Sequence, residues 1–227
     1  MVWSTPRRRA LSLLVVGGLV RSVAGMAAGS PDVRDRARPL LGPNLRIAGP
    51  VTTNETAPAV AWNADANQHL VVFSTDRREE RSGVDVFGRL VNADGSRPAA
   101  AFRISGAAAV GNDWWAQVAY NEAKGEYLVI WEDGRNPATR GADIYGQRLA
   151  ADGTRLGGNF RISDASALGD DRSPQVAYNP VTNEYLAIWV DYRDVSTRGT
   201  EVYGQRLASD GSLLGANFRI SGALATA

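Results

Sequence analysis

A spacing of 58 residues constrains this chain more than any other feature. Gly88, Gly146 and Gly204 are 58 residues apart, twice over. So are Gly95, Gly153 and Gly211, and so are Phe102, Phe160 and Phe218. A period held without a slip means one supersecondary unit copied in register, each copy burying its apolar face on the next. The last copy reads as four strands. Gln175–Tyr178 closes at Asn179-Pro180. Glu184–Trp189 follows, apolar on both faces from Tyr185 to Val190, as a strand covered on two sides must be. Glu201–Leu207 runs into Asp210-Gly211, a hairpin signal because glycine takes positive φ freely. Asn217–Ser221 alternates Phe218 and Ile220 against Arg219. The unit is a four-stranded antiparallel meander, and the aromatics keep its register. Trp62, Tyr120 and Tyr178 are equivalent, as are Phe73, Trp131 and Trp189, and Phe87, Tyr145 and Tyr203. Rings that recur in this way are core.

The expected fold is all-β: three four-stranded antiparallel blades of a β-propeller. A ring needs roughly four to eight blades, so three make half of a six-bladed ring, closed by a second copy of the chain, docked on another protein, or part of a longer array. The alternative is a threefold body, a β-trefoil or β-prism, which closes with three units. The run from Tyr185 to Gly211, YLAIWVDYRDVSTRGTEVYGQRLASDG, resembles the blade of a TolB-type (PD40-like) β-propeller. It has an apolar strand ending in Asp-x-Arg, a loop, an acidic residue before Val-Tyr, and Asp-Gly. It is also similar to repeat arrays common in large secreted bacterial proteins. The resemblance covers residues 44–221 and implies architecture, not activity.

The array is expected over 44–227, with repeats at about 48–105, 106–163 and 164–221. Asn44-Leu45-Arg46-Ile47 copies the fourth-strand motif at its front. Residues 29–43 carry prolines and charges without periodicity and read as a flexible linker. Residues 1–28 read as an export signal peptide, with Arg7, Arg8 and Arg9 before an apolar run and small residues for cleavage. The apolar run is too short to span a membrane. The implied location is secreted, periplasmic or cell envelope. Loss of that segment removes four arginines and no acid, taking the formal charge from +1 to −3. A nucleic-acid partner is not supported by such a balance. The chain has no cysteine, which excludes disulfides and thiolate chemistry.

Function is expected on the face bearing the longer connections, since loops on a rigid scaffold carry most binding chemistry. Trp114, Trp115 and Tyr192 break the aromatic pattern there, and Trp114 and Trp115 read as a platform for a sugar ring or a partner, or as plugs at a seam. Glu55, Asp113 and Asp171 are equivalent and read as turn caps, with calcium as the sharper reading; Asp113, Asp171 and Arg172 also join Trp114, Trp115 and Tyr192 as candidate ligand-binding residues. Asp133/Arg135 and Asp191/Arg193 recur in two copies, with Thr75/Arg77 in the first, and read as structural loop braces. His69, the single histidine, is equivalent to Tyr127 and Tyr185 and reads as a strand residue. No cofactor and no catalytic motif is recognised. The expectation is therefore a non-catalytic binding or interaction module, with a carbohydrate-binding lectin as the alternative and a glycoside hydrolase-like enzyme third.

Overall fold

In the computed structural model, residues 44–47, 53–76, 83–106, 111–135, 141–165 and 168–222 are described. The expected signal peptide and linker lie outside them. Twelve strands form three sheets. Blade 1 holds β1 (Glu55–Asn63), β2 (Gln68–Thr75), β3 (Asp85–Asn92) and β4 (Phe102–Arg103). Blade 2 holds β5 (Asp113–Asn121), β6 (Glu126–Asp133), β7 (Asp143–Ala150) and β8 (Arg155–Arg161). Blade 3 holds β9 (Asp171–Asn179), β10 (Glu184–Asp191), β11 (Glu201–Ala208) and β12 (Leu213–Arg219), with one helical turn, α1 (Val195–Arg198), between β10 and β11. Each sheet is a meander whose strands pair in chain order. The first strands β1, β5 and β9 lie side by side, so they are the inner strands of three blades of a β-propeller.

The sheets stack face to face. At the junction of blades 1 and 2, Leu70, Val72 and Ile104 pack on Tyr127, Val129 and Trp131. At the junction of blades 2 and 3, Leu128, Ile130 and Ile162 pack on Tyr185, Ala187 and Trp189. Each buried ring contributes roughly 2–3 kcal/mol from its area. The middle blade is sandwiched: β6 is buried from Tyr127 to Asp133, whereas β10 alternates buried with partly or fully exposed residues. A closed threefold body would make the three sheets equivalent. That inequality removes the β-trefoil and β-prism alternative.

Residues 44–47 sit on blade 1 as the last strand of a preceding blade would. Phe102 packs on Gly153 and Phe160 on Gly211; Leu45 takes the same seat at Gly95. Ile47 packs against Val71, Phe73, Phe87 and Val91. Phe218 and Ile220, the blade 3 counterparts, stay exposed. A second copy closing a six-bladed ring would bring its Phe218 to the seat that Leu45 already fills, so it would have to displace residues 44–47.

The first strand of each blade starts earlier than the sequence pattern suggested, at Glu55, Asp113 and Asp171 rather than near Gln175 and its equivalents. The alternation that marks a strand is interrupted by a bulge. The register slips between Thr56 and Ala59, between Trp114 and Gln117, and opposite Ile188 and Val190. At each slip one non-glycine residue takes positive φ: Ala57, Trp115 and Ser173. Trp114, Trp115 and Arg172 therefore belong to strands, not to loops.

Candidate functional site

Two sets of carboxylates meet at the long-connection rim, and they differ in kind. The first set repeats. Asp113 faces Asp133 across the β5–β6 ladder, and Asp171 faces Asp191 across β9–β10; all four are buried. Burial, together with the facing carboxylate, pushes Asp113 and Asp171 up to about 8, so each keeps its proton at neutral pH. The facing members, Asp133 and Asp191, are each paired with an arginine. Arg135 donates Nε and Nη2 to Asp133 at 2.6 and 2.5 Å, and Arg193 donates Nη2 to Asp191 at 2.5 Å. Burial raises the Asp191 carboxyl, but the bonds from Arg193 hold it below the usual range. Each guanidinium also lies over a ring, Arg135 over Tyr145 and Arg193 over Tyr203, at 3.8 and 4.0 Å. The Trp131 and Trp189 indoles donate to the same carboxylates. These braces lock the end of the second strand to the third.

The expected turn caps at Asp113 and Asp171 are instead the buried first residues of strands, and their preceding residues do the capping. Asn112 Oδ1 accepts the Val84 N–H at 3.0 Å, and Asp170 Oδ1 accepts the Ala142 N–H at 2.9 Å. Each thus stitches one blade to the blade before it. Glycine is required beside them: a Cβ on Gly83 would lie 2.5 Å from Asn112 Oδ1, and one on Gly141 would lie 2.6 Å from Asp170 Oδ1, both at positive φ. Among the described residues, no three or more His, Cys, Asp or Glu side chains converge as metal ligands.

The second set does not repeat. Glu132, on β6, is buried; its counterparts are Ser74 and Val190. Asp170 stands where the other copies carry Asn54 and Asn112. Arg172, on β9, bridges the two, with Nη2 2.7 Å from Asp170 Oδ2 and Nη1 3.9 Å from Glu132 Oε2. The Ser173 N–H, turned inward by the bulge, donates to Glu132 Oε1 at 2.5 Å. These groups line an open cavity of about 420 Å³ with Trp114 on its wall. Tyr192 adjoins it, its N–H donating to the Asp170 carbonyl at 3.0 Å. Trp115, 54% exposed, is absent from the cavity wall. The two carboxyls are driven apart. Burial pushes Glu132 up, against the opposing Ser173 N–H and Arg172. Burial also acts upward on Asp170, but the Ala142 N–H and Arg172 hold it below the usual range.

Of the residues singled out by sequence, Trp114 and Arg172 enter this cavity and Tyr192 borders it. Asp113 and Asp171 belong to the buried braces. Glu132 was missed. The signal for it was present: it is a carboxylate at a repeat position that is uncharged in both other copies.

No protein-family model and no curated protein matches the chain. Solved structures do. An N-acetylgalactosamine deacetylase from F. plautii, in complex with blood group B trisaccharide, is 11% identical with a TM-score of 0.51; the match covers 76% of this chain and 54% of that one. An exo-β-1,3-galactanase from Phanerochaete chrysosporium with β-1,3-galactotriose is 12% identical with a TM-score of 0.50, covering 74% and 38%. The chain thus spans about half, or less, of these two structures. The likeness shows the fold, blades of a β-propeller. Both structures are enzymes that act on carbohydrate, and this overturns the expectation of a non-catalytic interaction module. The expectation rested on the lack of a recognised catalytic motif and on the reading of repeated polar residues as structural. That holds for the braces but says nothing of Glu132.

Proposed function

We propose that the chain is a carbohydrate-acting enzyme of the glycoside hydrolase type, with Glu132 as general acid and Asp170 as general base. The observation that carries this is the pair itself: two carboxyls in one open cavity, one pushed toward its protonated form and one held ionised. Divergent environments of this kind assign acid and base roles. Both carboxyls approach the same guanidinium, so they lie within about 9 Å of each other, inside the upper limit for the water of an inverting displacement. Glu132 gives its proton to the leaving oxygen as the glycosidic C–O bond breaks. Asp170 takes a proton from the water whose oxygen bonds to the anomeric carbon. Trp114 offers a face for the sugar ring. Arg172 keeps Asp170 anionic. An exported location fits the basic and apolar leader of residues 1–28.

The substrate panel follows from the galactanase of like fold: aryl β-galactosides and β-1,3-linked galacto-oligosaccharides. Release of sugar from at least one, lost in Glu132→Gln and in Asp170→Asn with the fold intact by circular dichroism, is the expected result. Binding without turnover across the panel, or turnover untouched by both substitutions, would overturn the proposal.

A further inference from the structure

The junctions between blades repeat, and one copy of an arginine contact is broken. At the junction of blades 1 and 2, Arg155 at the start of β8 sends Nη2 onto three backbone carbonyls: Arg103 at 3.2 Å, Ile104 at 2.6 Å and Ser105 at 2.6 Å. Arg97, 58 residues earlier, makes the matching contact with the Arg46 carbonyl. The residue 58 positions after Arg155 is Leu213, which has no donor.

The backbone that presents the carbonyls is unchanged at the third position. Ile104 and Ser105 N–H both donate to the Val86 carbonyl, at 2.8 and 3.3 Å. Ile162 and Ser163 N–H both donate to the Ile144 carbonyl, at 2.7 and 3.3 Å. Asn159 Nδ2 reaches the Ile104 carbonyl at 3.4 Å, and Asn217 Nδ2 reaches the Ile162 carbonyl at 3.3 Å. A cavity of about 270 Å³ lies there, with Ile162, Ser163, Gln205, Leu213 and Asn217 among its walls. The wall is rich in acceptors. Asn217 Oδ1 is buried without a donor, and Gln205 Nε2 is spent on the Arg206, Leu214 and Gly215 carbonyls.

We propose that this cavity binds a guanidinium group on the carbonyls of Arg161, Ile162 and Ser163. A planar cation with N–H donors and no acceptor matches a wall of carbonyls, and the sister junction shows the same backbone holding one. Calcium also takes carbonyl oxygens but requires six to eight of them and normally carboxylates. The group can come from a small guanidino compound or from an arginine side chain of a peptide. The site is remote in chemistry from the Glu132–Asp170 pair and does not depend on it.

The test is an amide NMR titration of the full chain with millimolar guanidinium chloride, with a Gly-Arg-Gly peptide and with calcium chloride. Saturable shifts confined to residues 161–165 and 213–217 are expected for one or both guanidinium sources. The tighter of the two identifies the source. Leu213→Arg should fill the site from within, weaken that binding by at least about tenfold and raise the melting temperature. Leu213→Ala should leave binding intact, which guards against a misfolded variant. No saturation by either guanidinium source, saturation by calcium alone, or binding unchanged in Leu213→Arg would each overturn the proposal.

Discussion

Glu132 and Asp133 are neighbours on β6, both buried, and they serve opposite purposes. Asp133 has a copy in Asp191, and its copy has the same arginine partner, the same indole donor and the same protonated carboxyl opposite. Glu132 has no copy, and it faces a cavity with an unrepeated Asp170 and an unrepeated Trp114. Strand geometry explains how adjacent residues part: successive side chains leave opposite sides of the sheet. Selection of a repeated brace fixes the scaffold once for every blade. Chemistry is written where one copy departs from the others.

The comparison breaks first on turnover. Glu132→Gln keeps the shape and removes the proton; kcat should fall by about 10²-fold or more. The kcat/KM profile of the parent should be bell-shaped, its acid limb set by Asp170 below the ordinary carboxylate range and its basic limb by Glu132 above it. Steady-state rates from pH 3 to 9 check this, and a flat profile would remove the acid–base pair. Arg135→Ala comes next and should act on stability instead. It strands Asp133, which is fully buried, and should cost about 3 kcal/mol in urea unfolding. If Arg135→Ala lowered kcat without lowering stability, the division between brace and chemistry would be wrong.

Much of the scaffold was legible in the residues. The 58-residue period, Asp-Gly turns and doubly apolar second strands follow directly from what a stacked sheet requires. Cross-strand rings confirm the register: Trp62–His69, Tyr120–Tyr127 and Tyr178–Tyr185 lie 4.6, 5.0 and 5.3 Å apart. The first strands were less legible. A bulge puts two residues opposite one, so the period-2 pattern of residues 171–179 changes phase near Ser173. The buried acid pairs were hidden for another reason. Asp113 and Asp133 are 20 positions apart, and only the ladder brings them face to face. The sequence also conceals which copies of a motif differ functionally, unless the copies are compared residue by residue. That comparison finds Glu132 and Leu213 alike.

Asp113→Asn tests the repeated pair by pH. Burial holds the Asp113 proton in the folded state up to about pH 8, whereas the unfolded chain releases it near pH 4. Below that lower value both states are protonated and the contribution to stability is fully present. As pH rises through the folded value it is lost, so this group makes stability fall from about pH 4 to about pH 8. Asparagine carries no proton to lose. The variant should gain up to about 5 kcal/mol over the parent at pH 9 and gain nothing near pH 4, read from urea midpoints at both pH values. An equal effect at the two pH values would mean that Asp113 is ionised in the fold.

The finest comparison is between Trp114 and Trp115, adjacent residues that the sequence treats alike. Trp114 lines the cavity with Glu132, and Trp115 is the bulge residue with φ of 56°. A left-handed conformation costs a non-glycine residue roughly 1–2 kcal/mol, and the exposed Trp115 ring returns little of it by burial. Trp115→Gly removes the steric cost but loosens the unfolded chain, so a net gain of about 1 kcal/mol in thermal unfolding is expected, with KM unchanged. Trp114→Ala should do the reverse: stability shifts little, and KM rises about tenfold because a stacking face for sugar is lost. If both indoles raised KM equally, they would form one platform across the bulge. The cavity would then extend past the wall that Trp114 now marks.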